Sequence, residues 1–177
     1  MTSVLNRATL FPDLGNESQL NISDLLDFNV KNNPDFPLYV YPSADSSGIV
    51  EIKMLEFIRA AHRMGAIVRK NSQPGEVIAI VANVDSLLYI ALVIGIVKAG
   101  LVPFPISPRN SPPALARLIQ ATSAHRVLTT HNTLRSVVDG LKAELDSTNP
   151  TYEFHVEEAP TLQDAFPFLG REVADDP

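Results

Sequence analysis

The chain has 177 residues, of which 45% are apolar, enough for one domain with a sizeable core. Its net charge of −6 comes without any basic block, which excludes the footprint of a nucleic-acid-binding protein. The absence of cysteine excludes disulfides, thiolate zinc sites and cysteine nucleophiles, and it fits a cytoplasmic protein.

The two ends of the chain lack periodic apolar residues. Residues 1–20 are expected to be a flexible lead-in without a secretory signal, and residues 171–177 a polar tail. The longest apolar run covers residues 87–97 and stops at Lys98. A span of the bilayer needs about 20 residues, so this run predicts a buried helix and no membrane partner.

The first predicted elements are a short helix, a hairpin and a long helix. Ser23 is predicted to cap a helix over residues 24–32, and residues 38–41 read as a strand. A turn over residues 42–48 then precedes a helix over residues 53–69.

Strands and helices alternate through the rest of the chain. The predicted strands cover residues 76–83, 101–106, 125–130 and 152–156, and the helices between and after them residues 86–99, 112–123, 132–145 and 161–166. This order is typical of an α/β fold, so we expect a Rossmann-like, mainly parallel sheet with flanking helices.

The segment after the apolar helix carries a glycine and two prolines. Gly100 is placed to end the helix with a positive φ, after which residues 101–106 should run parallel to residues 76–83. Pro103 and Pro105 lack amide donors on one and the same side of the strand. They therefore predict an edge strand or a pairing that breaks near its end.

No residue of this chain is predicted to serve as a catalytic, cofactor-binding or metal-ligating group. Ser46, Ser47 and Gly48 with Lys53 resemble a phosphate loop, but the glycines are too few, so a hairpin-like turn is preferred. Asp85 or Asn83 can cap the helix over residues 86–99, and its first amides are a generic anion site for which simple capping is preferred. His62 is expected to be half-buried, and the histidines lack the spacing of metal ligands.

Two early motifs resemble a known family. LEFIRAAHRMG (55–65) and GEVIAIVANVDSLLYIALVIGIVKAGLVPFPISP (75–108) look like the start of an adenylate-forming enzyme of the AMP-dependent synthetase/ligase family, and Arg117 with Leu118 fits too. LLDFNVKNNPDFPLYVY (25–41) and APTLQDAFPFLG (159–170) are similar to the adenylation domains of fungal adenylate-forming reductases, which are related to non-ribosomal peptide synthetases. The resemblance covers about residues 24–170.

The resemblance implies that residues 21–170 form the incomplete N-terminal subdomain of an adenylation domain. Such enzymes join a carboxylic acid to ATP with Mg²⁺, giving an acyl-adenylate and pyrophosphate. Their phosphate loop and later acidic and lysine residues are expected beyond Pro177. The chain is therefore expected to be inactive alone, as a truncated product or an incomplete gene model.

The alternative is a non-enzymatic Rossmann-like interaction module. A piece of an enzyme should leave apolar surface uncovered, whereas an evolved module should be polar there. A truncated enzyme is expected to self-associate through its unfinished sheet edge, whereas an independent module is expected to bind a partner there and to remain a monomer on its own.

Overall fold

The computed structural model describes residues 21–42, 48–70 and 72–169. Contacts divide the chain into two units, Met1–Ala60 with Phe166–Pro177 and Ala61–Ala165, with the boundary inside one helix. The predicted lead-in and tail fall outside the described residues. Within those ranges, no helix has the length and apolar character needed to cross a membrane.

The first unit begins with helix α1 (Ile22–Asn32). The prediction that Ser23 caps this helix is wrong, because Asn21 is the N-cap residue. The Asn21 side chain accepts from the Asp24 amide at 3.0 Å, and the Asp24 carboxylate accepts from the Asn21 amide at 3.4 Å. This reciprocal capping box satisfies two amides at once, which a cap at Ser23 would not do.

An antiparallel hairpin follows, formed by β1 (Pro37–Pro42) and β2 (Ile49–Lys53). The predicted strand over residues 38–41 and the hairpin are thus confirmed, while most of the predicted turn lies outside the described residues. Helix α2 (Met54–Arg69) starts directly after β2, and its first two amides donate to the carbonyls of Phe36 and Pro34 at 2.9 and 3.0 Å.

The second unit holds a four-stranded parallel sheet with helices, as predicted. The strands have the order β4-β3-β5-β6. The elements after α2 are β3 (Val77–Val81), α3 (Ser86–Lys98), β4 (Val102–Pro105), α4 (Pro112–Ala121), β5 (Arg126–Thr129), α5 (His131–Thr148), β6 (His155–Glu158) and α6 (Leu162–Ala165).

The connection from α3 to β4 requires a glycine at position 100. Gly100 has φ +76°, and the amides of Gly100 and Leu101 donate back to the carbonyls of Val97 and Ile96 at 3.0 and 3.1 Å. This pattern is a Schellman motif, which requires the left-handed conformation that glycine adopts without strain. β4 then pairs in parallel with β3, confirming the predicted neighbours.

The two faces of the sheet are covered by different helices. Ala79, Val81 and Val127 belong to one apolar cluster with residues of α4 and α5. Ile78, Ile80 and Leu128 are buried on the opposite face, from which Arg126 reaches the Val68 carbonyl near the end of α2.

Helices α2 and α3 touch through two glycines. A Cβ added at Gly95 would lie 2.4 Å from the Ala61 carbonyl oxygen and 2.7 Å from the Gly65 amide nitrogen. A Cβ added at Gly65 would lie 2.6 Å from the Gly95 carbonyl oxygen. Only glycine at both positions permits this approach of the two backbones.

Three local predictions need correction. The last strand covers His155–Glu158, three residues later than its predicted start, because Tyr152 and Phe154 pack against the apolar cluster from an irregular segment. The sequence also predicts that Ser111 caps α4 ahead of Pro112; Ser111 is the N-cap residue, but its side chain makes no capping hydrogen bond. His62 is exposed and not half-buried, because it lies outside the buried stripe of α2 that contains Ala61, Met64 and Val68.

Candidate functional site

The strand order defines one switch point in the second unit. From β3 the chain crosses to β4 on one side, and from β5 it crosses to β6 on the other side. Connections that leave neighbouring strands in opposite directions open a crevice at the carboxyl ends of those strands, where α/β proteins commonly bind ligands. The carboxyl ends of β3 and β5 are therefore the candidate site.

Polar groups of the two connections meet at this edge. The Asn83 amide after β3 donates to the Thr130 hydroxyl oxygen after β5 at 3.0 Å. The Thr133 hydroxyl lies 2.9 Å from the same Thr130 oxygen. The His131 amide donates to the Glu158 carboxylate at 3.0 Å, which brings the end of β6 to the same edge.

The carboxylates of Asp85 and Glu158 at this edge accept hydrogen bonds from backbone amides. Asp85 accepts from the Leu87 amide at 2.8 Å and so caps α3, as preferred from the sequence. Glu158 accepts from the His131 amide. Both groups thus order the connections that leave the sheet, since each accepts a hydrogen bond from a backbone amide at the start of a helix.

Thr129 is the last residue of β5 and is fully buried. Within the described part of the chain, its hydroxyl has no hydrogen-bond partner. A buried hydroxyl without a partner is costly, and nothing in the sequence points to it except a threonine at a strand end.

A second polar cluster lies on the sheet at Arg126, which is only 5% exposed. Its guanidinium donates to both carboxylate oxygens of Glu157 at 2.8 and 2.7 Å, to the Val68 carbonyl at 3.0 Å and to the Ser72 hydroxyl. Hydrogen bonding from Arg126 lowers the pKa of Glu157, and the same bond raises the pKa of Arg126. The cluster ties β5 and β6 to the end of α2, which is a structural task.

The structure describes only part of the segment that resembles a phosphate loop. Ser46 and Ser47 lie outside the described residues, and Gly48 is exposed next to them. Lys53 ends β2 and forms an ion pair with Asp35 at 3.1 Å. Its ammonium group is therefore engaged with a carboxylate of the first unit.

The histidines are dispersed. His125 stacks on Tyr152 with ring centroids 4.9 Å apart, while His62, His131 and His155 are exposed on three different elements. Among the described residues, no group of three or more His, Asp or Glu side chains could hold a metal ion.

Comparison with known proteins agrees with this fold. Residues 26–172 match the family described as AMP-binding enzyme, so the chain belongs to that family. It is 41% identical over 164 residues to Adenylate-forming reductase Nps11 of Serpula lacrymans var. lacrymans (strain S7.9). Adenylate-forming reductase Nps9 of the same strain is 42% identical over 161 residues.

The matches cover most of this chain and a small part of its relatives. The match to Nps11 covers 91% of this chain and 15% of that protein, and the match to Nps9 covers 88% and 14%. The chain thus spans about 15% of the length of the first relative.

Solved structures show the same fold. The N-terminal domain of FACL13 from Mycobacterium tuberculosis superposes with a TM-score of 0.65 at 21% identity, covering 90% of this chain and 38% of that one. A fatty acyl CoA synthetase of the same organism gives a TM-score of 0.63 at 21% identity, covering 86% and 28%. The predicted α/β fold of an adenylate-forming enzyme is confirmed.

Proposed function

We propose that this chain is the N-terminal part of an ATP-dependent enzyme that activates a carboxylic acid as its acyl-adenylate. The observation that carries the proposal is the 41% identity to an adenylate-forming reductase over 91% of this chain. The parent enzyme would use ATP, Mg²⁺ and a small carboxylic acid, and release pyrophosphate. We place it in the cytoplasm.

Within that enzyme, we propose that this chain contributes scaffold and not the reacting groups. Its lysine nearest to a phosphate-loop pattern, Lys53, is paired with Asp35. Lys98 and Gly100 close α3 and start β4. These residues support the geometry of the sheet, so the chain alone should be inactive.

The uncovered apolar surface supports an enzyme part over an independent module. Val40 and Ile49 lie on one face of the hairpin in the first unit and are 57% and 72% exposed. An evolved free-standing module would carry polar residues on such a face. The domain limits 21–170, with a lead-in over 1–20 and a tail over 171–177, remain part of this proposal.

Pyrophosphate exchange into ATP tests both the acyl-adenylate-forming activity of the larger enzyme and the scaffold role of this chain. The purified 177-residue chain should show no exchange above a protein-free blank. A chimera in which this chain replaces the matching 164 residues of the Serpula relative should retain acid-dependent exchange. Exchange by the isolated chain would contradict the scaffold role.

If the chimera folds but shows no exchange while the unmodified Serpula relative is active, the proposal that this chain belongs to an acyl-adenylate-forming enzyme would be contradicted. The same chimera carrying Gly95→Val serves as a matched control, because that change separates α2 from α3 and should abolish exchange by unfolding.

A further inference from the structure

A groove runs between the C-terminal halves of α2 and α3 in the second unit. One cavity of about 250 Å³ lies over the contact of the two helices, with Gly65 and Gly95 among its lining residues. A second cavity, of about 290 Å³, lies beyond it, toward the loop that leads into β3. Because the two cavities share Arg69, Lys98 and Ala99, they are parts of one surface feature, here called the α2–α3 groove.

The ionisable side chains that line the α2–α3 groove are all basic. Arg69 and Lys98 line both cavities, and His62 lines the smaller one. Among the described residues, no aspartate or glutamate lines either cavity. The net charge of the whole chain is −6, so this is a local excess of positive charge. A concave surface with charges of one sign concentrates ions of the opposite sign, so the groove attracts anions that the chain as a whole repels.

The helix ends do not account for these basic residues. A helix end attracts cations through carbonyls that have no hydrogen-bond partner. Near the end of α2, the Val68 carbonyl accepts from the Arg126 guanidinium and the Ser72 hydroxyl at 3.0 and 2.9 Å. At the end of α3, the amides of residues 99–101 donate to carbonyls of the last turn at 2.9 to 3.1 Å. In the part of the chain that the structure describes, the exposed Arg69 side chain forms no hydrogen bond or ion pair.

We propose that the α2–α3 groove binds a compound that carries two or more linked phosphate groups. The planar guanidinium of Arg69 matches a phosphate group with two parallel N–H donors, and Lys98 adds positive charge beside it. His62 lies seven residues before Arg69 on the same helix, about 10 Å along its axis. That separation suits a chain of phosphates better than a single one, and a carboxylate has too little charge for three basic groups.

The α2–α3 groove and the candidate site lie at opposite ends of the sheet. Ser72 and Leu101 line the larger cavity and precede β3 and β4, so this cavity lies at the amino ends of those strands. The candidate site lies at the carboxyl ends of β3 and β5. Phosphate binding in the groove brings no reacting group, and it does not depend on the proposed acyl-adenylate chemistry.

Calorimetric titration of the 177-residue chain with sodium tripolyphosphate tests the proposal. Measured at pH 7 in about 0.15 M salt, the chain should bind one tripolyphosphate, and inorganic phosphate should bind about tenfold more weakly. Arg69→Gln removes the forked donor and its charge, and should raise the dissociation constant for tripolyphosphate about tenfold. Arg117→Gln is the matched control, because Arg117 is an exposed arginine on α4, outside the groove. This control should leave the dissociation constant unchanged.

A second variant leaves the basic residues in place. Ala66 is exposed and lines the groove, so Ala66→Glu should repel the phosphates and weaken binding about tenfold. Ala143→Glu, at an exposed alanine of α5, should not weaken it. Thermal unfolding followed by circular dichroism shows that each variant is folded. No heat of binding at about 5 mM tripolyphosphate would overturn the proposal. So would an equal loss in Arg69→Gln and Arg117→Gln, or equal affinities for phosphate and tripolyphosphate.

Discussion

Gly95 has no side chain because the backbone of α2 occupies the place where one would lie. Two of the three nearest atoms to an added Cβ are backbone atoms, of Ala61 and Gly65, at 2.4 and 2.7 Å. Backbone of a packed helix cannot turn aside as a flexible side chain can. The α2–α3 contact therefore requires glycine at this position, as it does at Gly65.

Gly95→Ala should destabilise the second unit by about 2–3 kcal/mol, despite the higher helix propensity of alanine. Urea unfolding followed by circular dichroism measures the change. Gly48→Ala is the control, because nothing lies within 4 Å of a Cβ added there. A midpoint for Gly95→Ala equal to that of Gly48→Ala would show that the helices do not approach this closely.

Arg126 is the buried charge of the sheet, and Glu157 is its partner. The Glu157 side chain is 37% exposed, so solvent weakens the pair relative to one that is fully buried. The folded-state pKa of Glu157 lies below its ordinary value of 4.5 because Arg126 donates to the carboxylate. The stabilisation is therefore present above pH 4.5 and is lost as the pH falls through the lower folded-state pKa.

Glu157→Gln should lower the free energy of unfolding at pH 7 by about 1–2 kcal/mol, less than for a fully buried pair. The difference from wild type should shrink as the pH falls below 4.5. Urea titrations at pH 7, 4.5 and 3 give the comparison. A difference that grows toward pH 3 would have the wrong sign for a depressed carboxyl pKa.

At the scale of elements, β4 shows why two prolines can sit in a strand of a parallel sheet. Its inward amides pair with β3, and only the outward nitrogens are replaced by proline. The prolines therefore remove no hydrogen bond between the described strands. They also leave the outer edge of β4 without two amide donors, which hinders pairing with a further strand.

Replacing Pro103 and Pro105 together by valine should leave the thermal midpoint nearly unchanged and increase self-association. The new amides would point outward and offer two donors to another strand. Light scattering over a concentration series measures the effect, with Pro113→Ala as a proline control in α4. A large loss of stability with no added association would mean that these nitrogens do not face outward.

The elements with long apolar periodicity were predictable from the sequence, and the irregular ones were not. The alternation of strands and helices from β3 to α5 follows from runs that are apolar on one or both faces. The turn after α3 follows from Gly100, a glycine placed directly after an apolar helix. The predicted start of β6 is three residues too early, because Tyr152 and Phe154 alternate like strand residues but pack against the core from a loop. Asn and Ser are equally good N-cap residues, so residue type alone does not separate Asn21 from Ser23. Asn21 is the cap because Asp24, three residues later, completes a capping box with it.

The candidate site was less predictable because it depends on contacts between distant residues. Asp85 was recognisable as a cap from its place before an apolar helix. The bond from Asn83 to Thr130 joins residues far apart in the chain, and so does the bond from Arg126 to Glu157. Neither leaves a local pattern, apart from a charge at the start of an otherwise apolar strand.

At the scale of the whole molecule, the hairpin of the first unit carries exposed apolar residues on one face. Val40 and Ile49 share one face of the hairpin, while Ile52 on β2 is fully buried. Large exposed aliphatic side chains at diagonal positions on one face of a short two-stranded sheet favour aggregation.

Val40→Thr with Ile49→Thr should reduce the fluorescence of the apolar dye ANS bound to the chain and should raise its solubility. Threonine keeps the branched shape that suits a strand, so the thermal midpoint should change little. Ile52→Thr is the contrasting variant, because it places a hydroxyl in the core and should unfold the hairpin. Dye binding that stays the same in the double variant would place the apolar surface elsewhere.

The central position of β3 also has a consequence for synthesis on the ribosome. β3 is the first strand of its sheet to be made, and β4, α3 and the turn at Gly100 are complete once residue 105 has emerged. Strand β5 then adds to an edge that already exists, and β6 adds to β5. A chain emerging from its N-terminus can thus assemble this sheet one strand at a time, without holding an early strand unpaired for a late partner.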